Sequence, residues 1–242
     1  MYFTKPNNRN KFSNTYFRNS DIDKQIILAC NIKAHKLLPQ QIKTIKNFLT
    51  ISLKEKGSEF IAIVYPVDNE ETALNHLIEI RKKYFDASHH CYAYRIKSGE
   101  EKYSDDGEPK GTAGIRILNA IDHFELNDLL VIVVRYFGGT KLGVGPLGKA
   151  YYNASMKVLE ANETVIKTFY QACSIEVDFN FINHVHRVIN YYSAIIDNTE
   201  FSSVAKFNCF IKPNDYEKIN IELTNLTNGQ VLIKILPNFK YF

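Results

Sequence analysis

DLLVIVVRYFGGTKLGVGPLGKAY, residues 128–151, passes from an unbroken apolar run through a glycine-dense segment into a helical pattern. Asp128–Tyr136 reads as a central strand apolar on both faces. Leu147, Ala150, Tyr151, Ala154, Val158 and Leu159 recur at helical spacing and predict a helix to about Ala161. Pro146 suits the first position of that helix. Eight of the chain's eleven glycines fall between Ser104 and Tyr151. Glycine is required where the backbone takes positive φ or approaches something closely. The two dense runs are SDDGEPKGTAG (Ser104–Gly114) and RYFGGTKLGVGPLGKAY (Arg135–Tyr151), and together they mark a built surface site.

Upstream, Phe60–Val67 is apolar and β-branched and reads as a strand. Asp68 with Glu71 resembles a capping box, and Ala73, Leu74, Leu77, Ile78 and Tyr84 predict a helix over about Glu70–Phe85. His89–Ile96 reads as a second strand and Gly111–Phe124 as a short helix. Order is expected to begin near Ile42. Downstream, glycine vanishes after Glu163 until Gly229, a composition shift that marks a domain boundary. The remainder reads β-α-β-β-α-β: strand Tyr170–Asp178, helix Phe181–Ser193, strands Ile195–Phe201 and Val204–Ile211, helix Asp215–Leu226, strand Gln230–Leu236. That order is the ferredoxin-like split βαβ arrangement. The fold class is therefore α+β. Residues 1–41 are a basic, Asn-rich, poorly ordered leader with a short helix near Asp23–Leu38; 42–163 and 164–242 form two domains.

The longest apolar run, Leu129–Val134, is strand length, so no membrane span is expected. Four widely spaced cysteines with no CxxC argue against a zinc ribbon or thioredoxin motif. They read as reduced, buried thiols of a cytoplasmic protein. The net charge of +4 is concentrated: residues 1–41 carry seven Lys/Arg against Asp21 and Asp23, a net +5, which leaves −1 for everything after them. A nucleic-acid reading from charge alone is therefore weak. The first twenty residues lack acids, as in a transit peptide, but show no amphipathic face. An upstream extension of a bacterial protein reads equally well.

Gly143–Gly148 is a literal G-x-G-x-x-G, and with Lys149 it approaches a Walker A loop. A dinucleotide fingerprint follows its strand at once, whereas FGGTKL intervenes here, and no acid stands near Thr168. A Walker loop needs Ser or Thr where Ala150 stands, and Pro146 removes a backbone N–H from the cradle. Two readings of this turn stay open. Its free N–H groups, flanked by Lys141, Lys149 and Arg135, accept a phosphate or carboxylate, or the glycines only permit a tight strand-to-helix connection. Asp105, Asp106 and Glu108 offer a magnesium site or an acid/base pair, or an Asp-Gly turn. His89 and His90, adjacent on a strand, point to opposite faces and do not share a metal; His184 and His186 are separated on their helix. Nothing places a base beside Cys91. Between Ser104 and Tyr151, five Lys/Arg face six acids, so the segment is no basic stripe. Basic groups beside Tyr103, Tyr136, Phe137 and Tyr151 nevertheless suit single-stranded RNA.

HHCYAY, SDDGEPKGTAG, VVRYFGGTKLGVGPLGKAY and the β-α-β-β-α-β tail together resemble the YigZ/IMPACT family, in its bacterial two-domain type, from about Ile42 onward. The resemblance implies an N-terminal domain similar to domain 2 of a small-subunit ribosomal protein. It implies a ferredoxin-like C-terminal domain similar to one in elongation factor G. Eukaryotic relatives regulate translation by competing for the activator of the general-control kinase; a two-domain bacterial type would lack that partner. No established enzyme activity comes with the resemblance. The sequence departs from the family pattern at Arg116, where Pro is usual, and at Pro146, where Gly is usual.

The expected function is a non-enzymatic, translation-linked regulatory protein. It binds RNA, the ribosome or a translation-factor-associated protein through a groove built from two loops. The first loop contributes Asp105, Asp106, Gly107, Glu108, Pro109, Gly111, Thr112, Ala113 and Gly114. The second contributes Arg135, Tyr136, Gly138, Gly139, Lys141, Gly143, Gly145, Lys149 and Tyr151. No cofactor or metal is expected. The alternative is a magnesium-dependent enzyme acting on a phosphorylated or carboxylated small molecule, with Asp105, Asp106 or Glu108 as acid, base or metal ligand. A partner-binding scaffold without nucleic-acid contact is the third reading.

Overall fold

In the computed structural model, which describes residues 38–96 and 100–242, the apolar run at 129–134 lies at the centre of an antiparallel sheet. The leader and the helix expected near Asp23–Leu38 fall almost wholly outside the described residues. The chain forms two compact units. One spans Gln40–Phe169 with Tyr241–Phe242, and the other, among the described residues, spans 38–39 and Tyr170–Lys240.

The first unit begins with β1 (Gln41–Ile45), β2 (Leu49–Glu55) and β3 (Ser58–Pro66), followed by α1 (Glu70–Lys83), β4 (His89–Arg95) and β5 (Glu101–Ser104). Then come α2 (Gly114–His123), β6 (Leu129–Tyr136), α3 (Val144–Glu160) and the first half of β7 (Thr164–Val177). The sheet order is β2-β3-β6-β4-β5, every pair antiparallel. Alternate residues of β6 feed different cores, as the pleat requires. Leu129, Val131 and Val133 pack with Ile117, Ile121, Ala150, Tyr151 and Val158 of α2 and α3. Leu130, Ile132 and Val134 pack with Ala73, Leu77 and Ile80 of α1. Helices on both faces explain why this antiparallel strand is apolar throughout. Residues 164–168 of β7 pair with β1.

Several local expectations are corrected. The N-cap of α1 is Asn69, whose Oδ1 accepts from Thr72 N at 2.8 Å, rather than Asp68 with Glu71. Its inward stripe is Ala73, Leu77 and Ile80, whereas Leu74 and Ile78 are exposed. Helix α2 starts at Gly114, not Gly111, because residues 109–113 are drawn into turns. Pro146 is the third residue of α3, not the first; the position is harmless because no intrahelical partner awaits an N–H there. The strands β1, β2 and β5 add to those expected.

In the second unit, β7 continues through residues 171–177, followed by α4 (Ile182–Tyr191), β8 (Ile195–Phe201), β9 (Ala205–Ile211), α5 (Tyr216–Leu226) and β10 (Val231–Tyr241). β9 lies between β7 and β8, antiparallel to both, and β10 also pairs with β7. Cys173, Ile175 and Val177 of β7 and Ala205, Phe207, Cys209 and Ile211 of β9 pack under Val185, Val188 and Ile189 of α4 and Ile219 and Leu223 of α5. Among the described residues no helix is long and apolar enough to cross a membrane.

Candidate binding cleft

Asp106 and Gly107 both take positive φ, 42° and 87°, so the first loop contains the Asp-Gly turn that its sequence favours. Its three carboxylates are each consumed within the fold. Asp105 Oδ1 accepts from Ala113 N at 3.0 Å and Gly114 N at 2.8 Å, and Oδ2 accepts from Gly111 N at 2.8 Å. It is the cap that α2 lacks locally, since Ala113 at the N-cap supplies no side-chain bond. Asp106 accepts from Arg81 Nη2 and from His90 N, both at 2.7 Å, tying the loop to α1 and β4. Glu108, whose side chain is 4% exposed, accepts from Arg135 Nη1 at 2.7 Å and from Tyr151 Oη at 2.8 Å.

Arg135 thereby joins the two loops. It is 5% exposed and stands at the end of β6, opposite Phe60 on one side and His89 on the other. Its Nη2 donates to Ser58 Oγ at 3.3 Å, and its guanidinium lies 5.4 Å from the ring centres of both Phe60 and Phe137. Nε is buried without a hydrogen-bond partner. The second loop is pinned beside it. Gly138 N donates to Ser58 Oγ at 3.1 Å, and a Cβ on Gly138 would fall 1.9 Å from Gly57 C, so only glycine permits the approach.

A cleft of about 390 Å³ opens where the loops meet. It is lined by His89, Glu108, Pro109, Arg135, Phe137, Lys141, Leu142, Gly143, Val144 and Leu147. Of the residues expected from sequence, it brings together Glu108, Pro109, Arg135, Lys141 and Gly143. Tyr151 lies beneath, buried, its phenol pushed up by burial. Thr112 is buried and donates to Pro109 O at 2.6 Å, and Ala113 and Gly114 are enclosed in the start of α2. Tyr136 bonds away to Asp86 Oδ1 at 2.7 Å, a contact that pushes its phenol up to about 12. Lys149 is exposed and, like Gly139 and Gly145, is not part of the cleft lining.

Sequence reasoning did not place His89, Leu142, Val144 and Leu147 in the site, and it named Phe137 among the aromatics suited to single-stranded RNA without counting it in the groove. The pairing of His89 with Arg135 was readable only from strand register. His89 Nδ1 lies 2.8 Å from Asp106 O and so donates to it, leaving Nε2 3.8 Å from Glu108 Oε2. Cys91 sits deeper, 3.4 Å from Tyr151 Oη, its thiol pushed up by burial and unsuited to act as a nucleophile. Among the described residues, no group of three or more His, Cys, Asp or Glu is placed to hold a metal ion.

Residues 56–159, which contain both loops, match the Impact N-terminal domain. An IMPACT family member of Haemophilus influenzae is 30% identical over 185 residues, covering 75% of this chain and 90% of that protein. The chain belongs to the IMPACT family. The IMPACT family member YvyE of Bacillus subtilis is 29% identical over 179 residues, covering 73% of this chain and 82% of its own. A crystal structure described as that of a hypothetical protein superposes with a TM-score of 0.66 at 24% identity, covering 82% of this chain and 98% of that one. The similarity extends through both units, and the fold is the mixed α/β, antiparallel-sheet fold of that structure.

Proposed function

We propose that this IMPACT-family protein is a non-enzymatic, translation-linked regulatory protein that binds RNA, free or ribosomal, through the cleft between its two glycine loops. The observation that carries this reading is the fate of the ionisable groups. Asp105, Asp106 and Glu108 all bond within the fold, so none stands ready as an acid, base or magnesium ligand. What the cleft presents instead is the half-exposed ring of Phe137, the exposed Lys141 and the start of α3. An aromatic surface beside a cation and a helix N-terminus suits a nucleic-acid strand better than bond chemistry.

The reading extends to the domains. Residues 42–163 form a domain similar to domain 2 of a small-subunit ribosomal protein, and 164–242 a ferredoxin-like domain. The sheet order β10-β7-β9-β8 and the β-α-β-β-α-β element order support the second assignment. The protein acts in the cytoplasm, where ribosomes are found. Co-sedimentation with purified ribosomes tests the proposal. Binding is expected at low salt and declines as salt rises, because phosphate contacts release counterions. Absence of binding at low salt sinks it. Specific capture of a protein that persists after nuclease treatment favours the scaffold reading instead.

A further inference from the structure

We propose that the cleft holds one nucleotide of single-stranded RNA, its base against the outer face of Phe137 and its phosphate between Lys141 and the first turn of α3. This deepens the RNA reading and rests on it. Four observations converge. Phe137 is 48% exposed, and the Arg135 guanidinium lies over its ring and over that of Phe60, 5.4 Å from each centre. The ring thus has the guanidinium beside it and enough exposed surface for a base to stack on. Lys141 is exposed and has no acidic partner among the described residues, whereas the other cation of the cleft is neutralised by Glu108. Its charge is available to a phosphate.

The third observation is the start of α3. Gly143, the N-cap at φ 83°, contributes no side-chain bond, and Leu147 N closes the first turn on Gly143 O at 2.9 Å. Pro146 has no N–H, so Val144 and Gly145 keep the unpartnered donors of this helix end. The dipole of a 17-residue helix adds positive potential at the same place. The fourth is Arg135 Nε, buried in the wall of the cleft without a partner. A shift of the half-exposed Phe137 ring, of the kind side chains commonly make on binding, gives this donor an oxygen of the bound strand. A base within a duplex is stacked on both faces and cannot meet Phe137, so the site selects single strands.

Fluorescence anisotropy with a short labelled oligouridylate, the same strand annealed as a duplex, and uridine monophosphate as competitor tests the proposal. The single strand is expected to bind more tightly than either the duplex or the mononucleotide. Phe137→Ala is expected to weaken it about tenfold, with binding restored by Phe137→Tyr. Lys141→Gln is expected to reduce the slope of log affinity against log salt by about 0.7, the share of one phosphate contact on a single strand. Thermal melts confirm that each variant folds. Wild-type affinity and slope in both variants, or equal affinity for mononucleotide and strand, overturns the proposal. Ribosome sedimentation of the same proteins separates the two levels. Ribosome binding that survives both substitutions leaves the RNA reading standing and removes this site from it, whereas wild-type protein that fails to sediment removes the reading itself.

Discussion

Arg135 shows how a residue flagged for binding is first a structural one. Its charge sits at 5% exposure, opposite a carboxylate that is also buried, and the pair is further bonded to Ser58 and Tyr151. Whether such a pair outperforms apolar residues of the same shape is system-dependent, but removing one partner strands the other's charge and costs about 3–5 kcal/mol. Arg135→Ala and Glu108→Ala are each expected to lower the stability of the first unit by about that amount in urea unfolding. The double substitution should cost clearly less than their sum, because the second removal finds no partner left to strand. Additive losses would show that the two groups do not act as a pair. The residue types were legible in the sequence, since Glu108 and Arg135 both stood out as site candidates. Their partnership was not, because it depends on the register that sets His89 and Phe60 beside Arg135. That register is a property of three strands, not of either loop.

At the scale of elements, strong apolar periodicity was readable and weak periodicity was not. The buried stripe of α3 lies where its spacing puts it, and β6 could be read as central because both its faces are covered. The missed strands are those that bury little or lie among the first described residues. β5 has no buried residue and no apolar run to signal it. β2 does alternate, with Leu49, Ile51 and Leu53 half-buried and Thr50, Ser52 and Lys54 exposed, and that signal was passed over. In α1, Leu74 and Ile78 are apolar by composition but exposed, and the true stripe runs through Ile80. Long-range capping is the other device invisible to local reading, for Asp105 caps a helix that begins nine positions later. Asp105→Asn replaces one of its two acceptor oxygens with a donor facing an N–H. A loss of about 2 kcal/mol is expected, the range of a charge-assisted bond at a helix start. Amide exchange at Ala113 and Gly114 should quicken well before that of the α2 interior. Unchanged protection at those two amides would show that the carboxylate is not the cap.

At the scale of the whole chain, each unit keeps protonated groups away from water, and that gives the protein an alkaline limit. In the first unit, burial raises the Cys91 thiol and the Tyr151 phenol above their ordinary ranges. In the second, Cys173 is raised by its hydrogen bond with Cys209, 3.2 Å away, and by burial. A group whose folded pKa lies above its unfolded one stabilises the fold fully below the unfolded value. That contribution is lost as pH rises from there toward the folded value. For the thiols the loss begins near pH 8.5, the ordinary cysteine value, and for Tyr151 near pH 10. Between those limits each group removes about 1.4 kcal/mol of stability per pH unit. Urea unfolding followed in the tyrosine near-ultraviolet bands should therefore show no contribution from these groups below about pH 8 and a steepening loss above about pH 9. Cys91→Ala lowers stability at neutral pH by leaving a small cavity. It should nevertheless flatten the alkaline slope of the first unit's transition by about 1.4 kcal/mol per pH unit. An alkaline slope identical to wild type in that variant would mean that Cys91 ionises in the folded protein as freely as in the unfolded chain. The burial that closes the floor of the cleft would then be less complete than the packing of Cys91 under Tyr151 requires.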